Sequence, residues 1–516
     1  MLFISITDEV IFNQDKWINN KMSGIRVTYS GLISFAASII TAVFMIGFML
    51  IVTRTISQQD YGTWGLINSL FFYGFIASSF INFWTIRDVA RGKSVEKTSL
   101  ISSGLFSIVG VIIYLIMISI IEFESSIELN VLVIAVILIP VNFFHKIIAS
   151  INTGWKPEIV SYGAILAGIS SIPLGLLFIY FLNWSIIGIV FSLAIAQSIS
   201  IIFQVIYARH RIKEKFDVEI FKRWFKFSWI PTYPAISRLL YTSDVVIFMI
   251  ITSSVIGISY YSAALIIGGI VAYAMSISNS MYPKLLSGDK GKIVSRNLTN
   301  LSFFVVLLFC LAVTFAKPGI FVLNPIYEIA SVIVIFLAIR IIFFSLSEIL
   351  EKFLIGVEKV DTEEKSTFKN YMRSKLFFIP TLRLIQNAIY LVILSIGLLL
   401  LNNSTKDMDL VIFWSVITMF SQIPLTVYLL YKTKQTFAIN FEIKSIGKYI
   451  ISGTVSFAFV YLLIEKFLVY NKSLIEFLPQ VLIFASLGIG MYIVISMIID
   501  NNIRNLIKSI ITEIKK

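Results

Sequence analysis

The chain has 516 residues, of which 58% are hydrophobic and only 14% are charged, and its formal net charge is +13. Ordinary soluble domains carry about 25% charged residues. With a mean hydropathy of +0.90, this composition excludes a soluble enzyme and indicates an integral membrane protein.

Fourteen long apolar runs follow one another along the chain. A helix needs about 20 apolar residues to cross roughly 30 Å of hydrocarbon, so each run predicts one transmembrane helix. The protein is therefore expected to be all-α and to leave no room for a soluble catalytic domain. In chain order the predicted spans are 31–52, 63–84, 100–121, 129–145, 158–182, 186–207, 228–251, 257–281, 298–316, 328–350, 377–401, 409–431, 449–469 and 477–499.

The basic residues predict the orientation of these helices. Of the 42 Lys and Arg residues, 34 fall in every second gap between the runs, tails included. Cytoplasmic loops of membrane proteins retain positive charge, so both termini are predicted to be cytoplasmic, in a plasma-membrane protein. The basic loops would face anionic lipid headgroups, which explains the net charge without nucleic-acid binding.

The spans divide into two groups of six and one pair. We expect a cytoplasmic or interfacial segment at 1–30, a first six-helix lobe at 31–207 and a basic linker at 208–226. A second six-helix lobe at 227–431 and a segment with the last two helices, 432–516, would follow.

A weak internal repeat accompanies this division. A shift of 199 residues places Tyr61 on Tyr260, and Gly92-Lys93 on Gly291-Lys292, in matching topology. Two copies with six helices each share one orientation, and such parallel repeats enclose a central site. The pattern predicts a central site between two lobes.

Charged residues inside the predicted spans are candidates for function, since each costs roughly 2.5–3.5 kcal/mol at the bilayer centre. Arg238 and Asp244 lie in the seventh span, Arg340 in the tenth, and Arg383 in the eleventh with Asn387 one turn later. We interpret Arg238, Arg340, Arg383 and Asn387 as a substrate site in a cationic, water-filled cavity. Arginine matches phosphate oxygens with a planar fork of donors, which favours an anionic, pyrophosphate-linked lipid.

Structural roles stay open for the same residues. Arg383 can snorkel to the cytoplasmic surface, and Asp244 can neutralise one arginine in a buried pair. Arg238 and Asp244 are six residues apart, on different helix faces, so they are not expected to pair with each other. As a carboxylate in an apolar setting, Asp244 is also the candidate for ion or proton coupling.

Catalytic, metal and cofactor sites are not expected. The single cysteine, Cys310, lies within a span, and His145 and His210 are far apart without a cysteine nearby. The loops on the outer side are short, and the Gly-Lys segment at 288–292 lacks the spacing of a phosphate-binding loop.

Two stretches resemble a known family. Residues 53–62 read TRTISQQDYG and resemble the Arg…Asp-Tyr-Gly signature after the first helix of polysaccharide-biosynthesis flippases. Residues 226–228, Asp244 and the stretch 256–264, IGISYYSAA, resemble a second pattern of that family. These are features of the Wzx-like branch of the multidrug/oligosaccharidyl-lipid/polysaccharide exporter (MOP) superfamily. The matching motif positions are Arg54, Asp60, Tyr61, Gly62, Asp244, Gly257 and Tyr260.

The resemblance implies a V-shaped fold of two lobes, with a central cavity and alternating access. It also implies transfer of a lipid-linked oligosaccharide from the cytoplasmic to the outer leaflet, with membrane lipids and glycan-assembly enzymes as candidate partners. Two alternatives remain: a cation-coupled drug or metabolite exporter of the same superfamily, which the arginines disfavour, and a membrane glycosyltransferase or polymerase, which the short outer loops disfavour.

Overall fold

The structure is a computed structural model that describes residues 25–124, 129–213, 215–275, 290–356, 371–402, 405–437 and 442–505. Most of the expected segment 1–30 and the basic end of the C-terminal tail lie outside these residues. Within them, every regular element is a helix.

Thirteen helices are long and apolar enough to cross a membrane, and a pair bent by 67° supplies a fourteenth span. This confirms the all-α, fourteen-helix architecture. The spans are α1 (Ala37–Thr55), α2 (Gln58–Ala90), α3 (Glu96–Ile121), α4 (Leu129–Trp155), α5 (Pro157–Phe181), α6 (Ser185–Ala208), α7 (Trp229–Thr252), α8 (Val255–Met275), α9 (Leu298–Thr314 with Ala316–Leu323), α10 (Pro325–Ile355), α11 (Lys375–Leu401), α12 (Asp407–Phe437), α13 (Ile443–Phe467) and α14 (Leu474–Ile499).

The fourth span was predicted too short, and the difference adds a charge to the first helix group. The helix does not end at 145 but continues to Trp155, where the chain turns before Pro157, as residues preceding proline avoid the helical region. Lys146 therefore lies within α4, with its ammonium 3.8 Å from the centre of the Phe75 ring. The first helix group thus also carries a charge inside one of its spans, which the predicted end at 145 had left in a loop.

The helices pack mainly within the two expected groups. α1 lies along α5, and α2 along α3 and α4, whereas α7 lies along α11, and α10 along α12. The groups meet chiefly where α2 contacts α7 and α8, and α13 packs between α9 and α14. This arrangement supports the division into two lobes, which stays a prediction.

We call the end of the bundle with the Lys- and Arg-rich gaps the basic end, and the other the opposite end. Near the opposite end α2 and α8 cross with almost no space between their backbones. A Cβ atom on Gly62 would lie 1.8 Å from the carbonyl oxygen of Val255, and one on Gly65 would lie 2.6 Å from Oγ of Ser262. Glycine is therefore required at residue 62 for the two groups to touch.

At the basic end, the linker between the groups is docked on α2 and α3. Its short helix, Val218–Lys226, inserts Trp224 into an apolar cluster. The buried carboxylate of Asp88 accepts hydrogen bonds from Arg223 and, at 2.8 Å, from Nε1 of Trp224. Arg211 donates to the buried Glu96 at 2.7 Å. Two of the linker's cations are thus neutralised by the first group.

Candidate functional site

A cavity of about 780 Å³ lies in the basic half of the bundle, between the two helix groups. We call it the basic-end cavity. Its wall is largely apolar and aromatic, with a few charged groups, as is usual for sites that bind small molecules. The lining comes from α2 (Phe83, Ile86), α4 (Thr153), α7 (Arg238, Tyr241), α10 (Phe344, Glu348) and α11 (Arg383, Asn387), among others.

Arg238 is the exposed arginine of this cavity. The first part of α7 presents its side chain to the space between the groups, and it is exposed there. Within the described part of the chain, its guanidinium forms no ion pair and no hydrogen bond. An arginine inside a bundle that has no partner among the described residues is accessible to a ligand, and substrate binding by Arg238 stays a prediction.

Arg383 lies in the same cavity but is already paired. Its Nη2 is 2.7 Å from Oε2 of Glu351 and 3.1 Å from Oγ of Ser347, both on α10. The pair joins α11 to α10, so Arg383 does not snorkel to the surface. Because Glu348 also lines the wall, the cavity carries mixed charges instead of the uniformly cationic lining that the sequence predicted.

Asn387 is buried one turn beyond Arg383. Its Nδ2 donates to the carbonyl oxygen of Ser237 at 2.7 Å and to Oγ of Ser237 at 3.2 Å. Its amide therefore holds α11 against α7. Substrate contact by Asn387 stays a prediction, since its donor group is engaged.

A second cavity, of about 430 Å³, lies nearer the opposite end, between α2, α7 and α8. We call it the mid-depth cavity. Arg340 and Asp244 both line it. The guanidinium of Arg340 donates to the hydroxyl of Tyr261 and lies 4.7 Å from the centre of the Tyr241 ring. Arg340 and Arg238 therefore belong to two different cavities, although the sequence placed them in one site.

Asp244 is bound by neutral donors. Its Oδ2 accepts from the hydroxyl of Tyr390 at 2.9 Å and from Nε1 of Trp414 at 3.1 Å. Asp244 opens the second part of α7, after a one-residue interruption at Ser243, and a negative charge is favourable at such a helix N-terminus. The alternative of a buried ion pair is not found, because no arginine of the described residues lies within salt-bridge distance of this carboxylate.

Arg54, the first motif residue, caps the C-terminal end of a helix. It donates to the carbonyl oxygens of Val322 at 2.9 Å, Phe321 at 3.3 Å and Lys472 at 2.9 Å. The last carbonyls of a helix lack partners within the helix, and a cation at this end also suits the helix dipole. Arg54 thus ties α1 to the bent second half of α9 and to the turn before α14.

The other motif residues also serve packing at the opposite end. Asp60 accepts from Oγ of Ser185 at 2.7 Å. Tyr61 and Tyr260, the pair matched by the internal repeat, both contact the ring of Tyr327, at 5.6 and 6.2 Å between centroids. Gly257 leaves room for the ring of Phe248, 2.6 Å from where a Cβ would lie.

Sequence reasoning missed two residues of the basic-end cavity and one residue that donates a hydrogen bond to Asp244. Glu348 and Glu351 fall at the end of a span, where charges are expected in solvent, and nothing local shows that they face a cavity. Trp414 resembles any core aromatic residue. One indication was present in the sequence. Glu348 and Lys352 are four residues apart, which places both charges on the same face of a helix.

These features define a class: a fourteen-helix membrane protein with cavities between two helix groups, the fold of the MOP superfamily transporters. A lipid II flippase MurJ in an inward closed conformation is similar, with 18% identity, 92% of this chain and 99% of that chain covered, and a TM-score of 0.60. A multidrug resistance MATE family transporter of the MOP superfamily, in its inward-facing conformation, has 12% identity, 79% and 99% coverage and a TM-score of 0.57. The MATE transporter VcmN of Vibrio cholerae has 13% identity, 82% and 100% coverage and a TM-score of 0.53.

No protein-family model and no curated protein sequence matches the chain. The likeness is therefore one of fold. It shows the fold, and membership of the MOP superfamily, with its Wzx-like branch, stays a prediction.

Proposed function

We propose that the protein is a flippase that moves a lipid-linked oligosaccharide between membrane leaflets by alternating access. The observation that carries the proposal is the basic-end cavity, which combines aromatic walls with an arginine that has no partner among the described residues of the bundle. Aromatic rings suit the faces of sugars, and the guanidinium of Arg238 suits a phosphate. The lipid tail would stay in the bilayer while the sugar-phosphate head enters between the groups.

The direction of transfer follows from the expected orientation. With both termini in the cytoplasm, the basic-end cavity opens toward the cytoplasmic leaflet, where glycan-assembly enzymes would deliver the substrate. The tight α2–α8 crossing then closes the outer side. The state described here would be the one that loads substrate, in a plasma membrane.

Coupling to a cation gradient would reside at Asp244. This carboxylate is 4% exposed and lines the mid-depth cavity, on the helix that carries Arg238. Binding of a proton or a cation there would change its bonds to Tyr390 and Trp414, and with them the packing of α7 on α11 and α12. Transport that is indifferent to both pH and Na⁺ gradients would contradict this part of the proposal.

The main test is transport by purified protein in liposomes. A polyprenyl-pyrophosphate disaccharide with a fluorophore on the sugar is incorporated, and a membrane-impermeant quencher reports the share in the outer leaflet. We expect Arg238→Ala to slow transfer by about tenfold or more, since a charge-assisted hydrogen bond to a ligand contributes about 1.5–3 kcal/mol. The transfer rate of Arg238→Lys should lie between those of the wild-type and Arg238→Ala proteins, because lysine keeps the charge but lacks the planar fork of donors.

The control is Arg209→Ala, which removes an exposed arginine from the linker and should leave the rate unchanged. Transfer by wild-type protein no faster than in protein-free liposomes would refute the flippase. Equal rates for the wild-type and Arg238→Ala proteins would refute the role of Arg238.

A second candidate is the export of a cationic drug or metabolite, which one observation favours. Glu348 lines the same cavity, and carboxylates bind cationic ligands. The same liposomes, loaded with a fluorescent cationic dye, separate the two functions. Dye movement that is lost in Glu348→Gln, with no lipid transfer, would favour the exporter. Bond formation between sugars in the same assay would instead favour the glycosyltransferase alternative.

A further inference from the structure

Tyr241 lies between the two cavities. It lines both the basic-end cavity and the mid-depth cavity, and it is the residue that their linings share within the described part of the chain. It sits on α7, three residues before Asp244. Its ring therefore lies where the two cavities adjoin.

The ring packs against two residues of α10. Phe344 of α10 stacks on it, with centroids 5.6 Å apart and planes at 18°, and the guanidinium carbon of Arg340 lies 4.7 Å from its centre. Stacking and cation–π contact are favourable for any aromatic ring. These contacts explain an aromatic residue at this position, but not its hydroxyl group.

The hydroxyl group of Tyr241 does not stabilise the state described here. The oxygen of Tyr241 is buried and makes no hydrogen bond to the described residues, and Nε of Arg340 beside it is likewise buried without a partner. A buried polar group without a partner costs free energy that a phenylalanine would avoid. A different position of the ring that gives this hydroxyl group a partner would therefore be favoured.

We propose that the ring of Tyr241 is a movable partition, which divides the transport path into the basic-end cavity and the mid-depth cavity. In the state described here the ring separates the basic-end cavity from the mid-depth cavity. When the ring turns, its hydroxyl gains a hydrogen-bond partner, Arg340 loses its ring contact, and the cavities join. An anionic head group at Arg238 then reaches Nε of Arg340. Only this last step rests on the proposed function.

Cysteine labelling tests the partition without any substrate. Cys310 is the single cysteine, so Cys310→Ser provides a background for one reporter at a time. Asn68→Cys reports on the mid-depth cavity, and Thr153→Cys reports on the basic-end cavity. A negatively charged methanethiosulfonate is added to purified protein. With Tyr241 present, we expect residue 68 to react at least tenfold more slowly than residue 153.

Tyr241→Ala should raise the rate at residue 68 about tenfold or more and leave the rate at residue 153 within twofold. Phe344→Ala, which removes the ring that Tyr241 stacks on, should give a smaller increase at residue 68 and serves if Tyr241→Ala does not fold. Fast labelling of residue 68 with Tyr241 in place would overturn the proposal. An unchanged rate at residue 68 in both variants would do the same.

Tyr241→Phe tests the hydroxyl group separately. It keeps the ring, so labelling at residue 68 should stay as slow as with Tyr241 or become slower, because the partitioned state no longer buries an orphan hydroxyl. Lipid transfer should fall several-fold, since the joined state loses a hydrogen bond. Faster labelling at residue 68 in Tyr241→Phe would contradict the switch. If wild-type protein moves no lipid, the flippase fails while the labelling still decides the partition.

Discussion

The opposite end and the basic-end cavity use arginine in contrasting ways. At the opposite end, the guanidinium of Arg54 donates hydrogen bonds to three backbone carbonyls. There α2 and α8 approach so closely at Gly62 that no side chain fits between them. In the basic-end cavity, Arg238 is exposed and has no partner among the described residues. Arg54 and Gly62, which resemble a family motif, therefore pack the opposite end, whereas Arg238, outside the motif, is accessible from a cavity.

The largest effect is expected for a substitution that disrupts the α2–α8 crossing at the opposite end. Gly62→Ala places a methyl group 1.8 Å from the carbonyl oxygen of Val255, and neither backbone can yield without separating α2 from α8. We expect a loss of about 3 kcal/mol in the free energy of unfolding, seen as a lower melting temperature in detergent.

Gly490→Ala is the matched control, since nothing lies within 4 Å of its added Cβ. Alanine has the better helix propensity, so this variant should melt at or slightly above the wild-type temperature. Equal melting of the two variants would show that the tight crossing does not support the fold.

The next effect concerns Arg54. Arg54→Ala leaves the last carbonyls of the bent half of α9 without their donors, and we expect a loss of about 2 kcal/mol. Arg54→Lys should lose less, because one ammonium can still reach a carbonyl. Thermal unfolding measures both. A stability of Arg54→Ala equal to that of the wild type would remove the contrast with Arg238.

A smaller effect is expected for the ion pair of Arg383 and Glu351. Either single alanine variant leaves a half-buried charge unpaired, while the double variant removes both charges. A double-mutant cycle should therefore give a coupling of about 1–2 kcal/mol. A coupling near zero would mean that Arg383 is as free for substrate as the sequence predicted.

The smallest effect on stability is expected for Arg238→Ala. Because the side chain has no protein partner to lose, the melting temperature should stay near the wild-type value, within about 0.5 kcal/mol of unfolding free energy, while lipid transfer slows. Loss of both stability and transport together would indicate a structural role and would make Arg238 equivalent to Arg54.

The fold could be predicted in detail from the chain because span length and apolarity are local properties. Every predicted span overlaps an observed one, and the main error, at α4, arose because Lys146 interrupts the apolar run without ending the helix. The candidate site was predicted only in part. Arg238 and Arg340 were recognised as charges inside spans, but their separation into two cavities was not.

The sequence by itself determined the number of helices, their approximate positions and the residues that are costly to bury, since each follows from the chemistry of neighbouring residues in the chain. Only the tertiary structure decided the partners of those residues. Arg340 meets Tyr261 from 79 positions away, and Asp244 meets Tyr390 from 146. Such contacts depend on how the helices are packed, and no local pattern encodes which charge is neutralised and which is left free for a ligand.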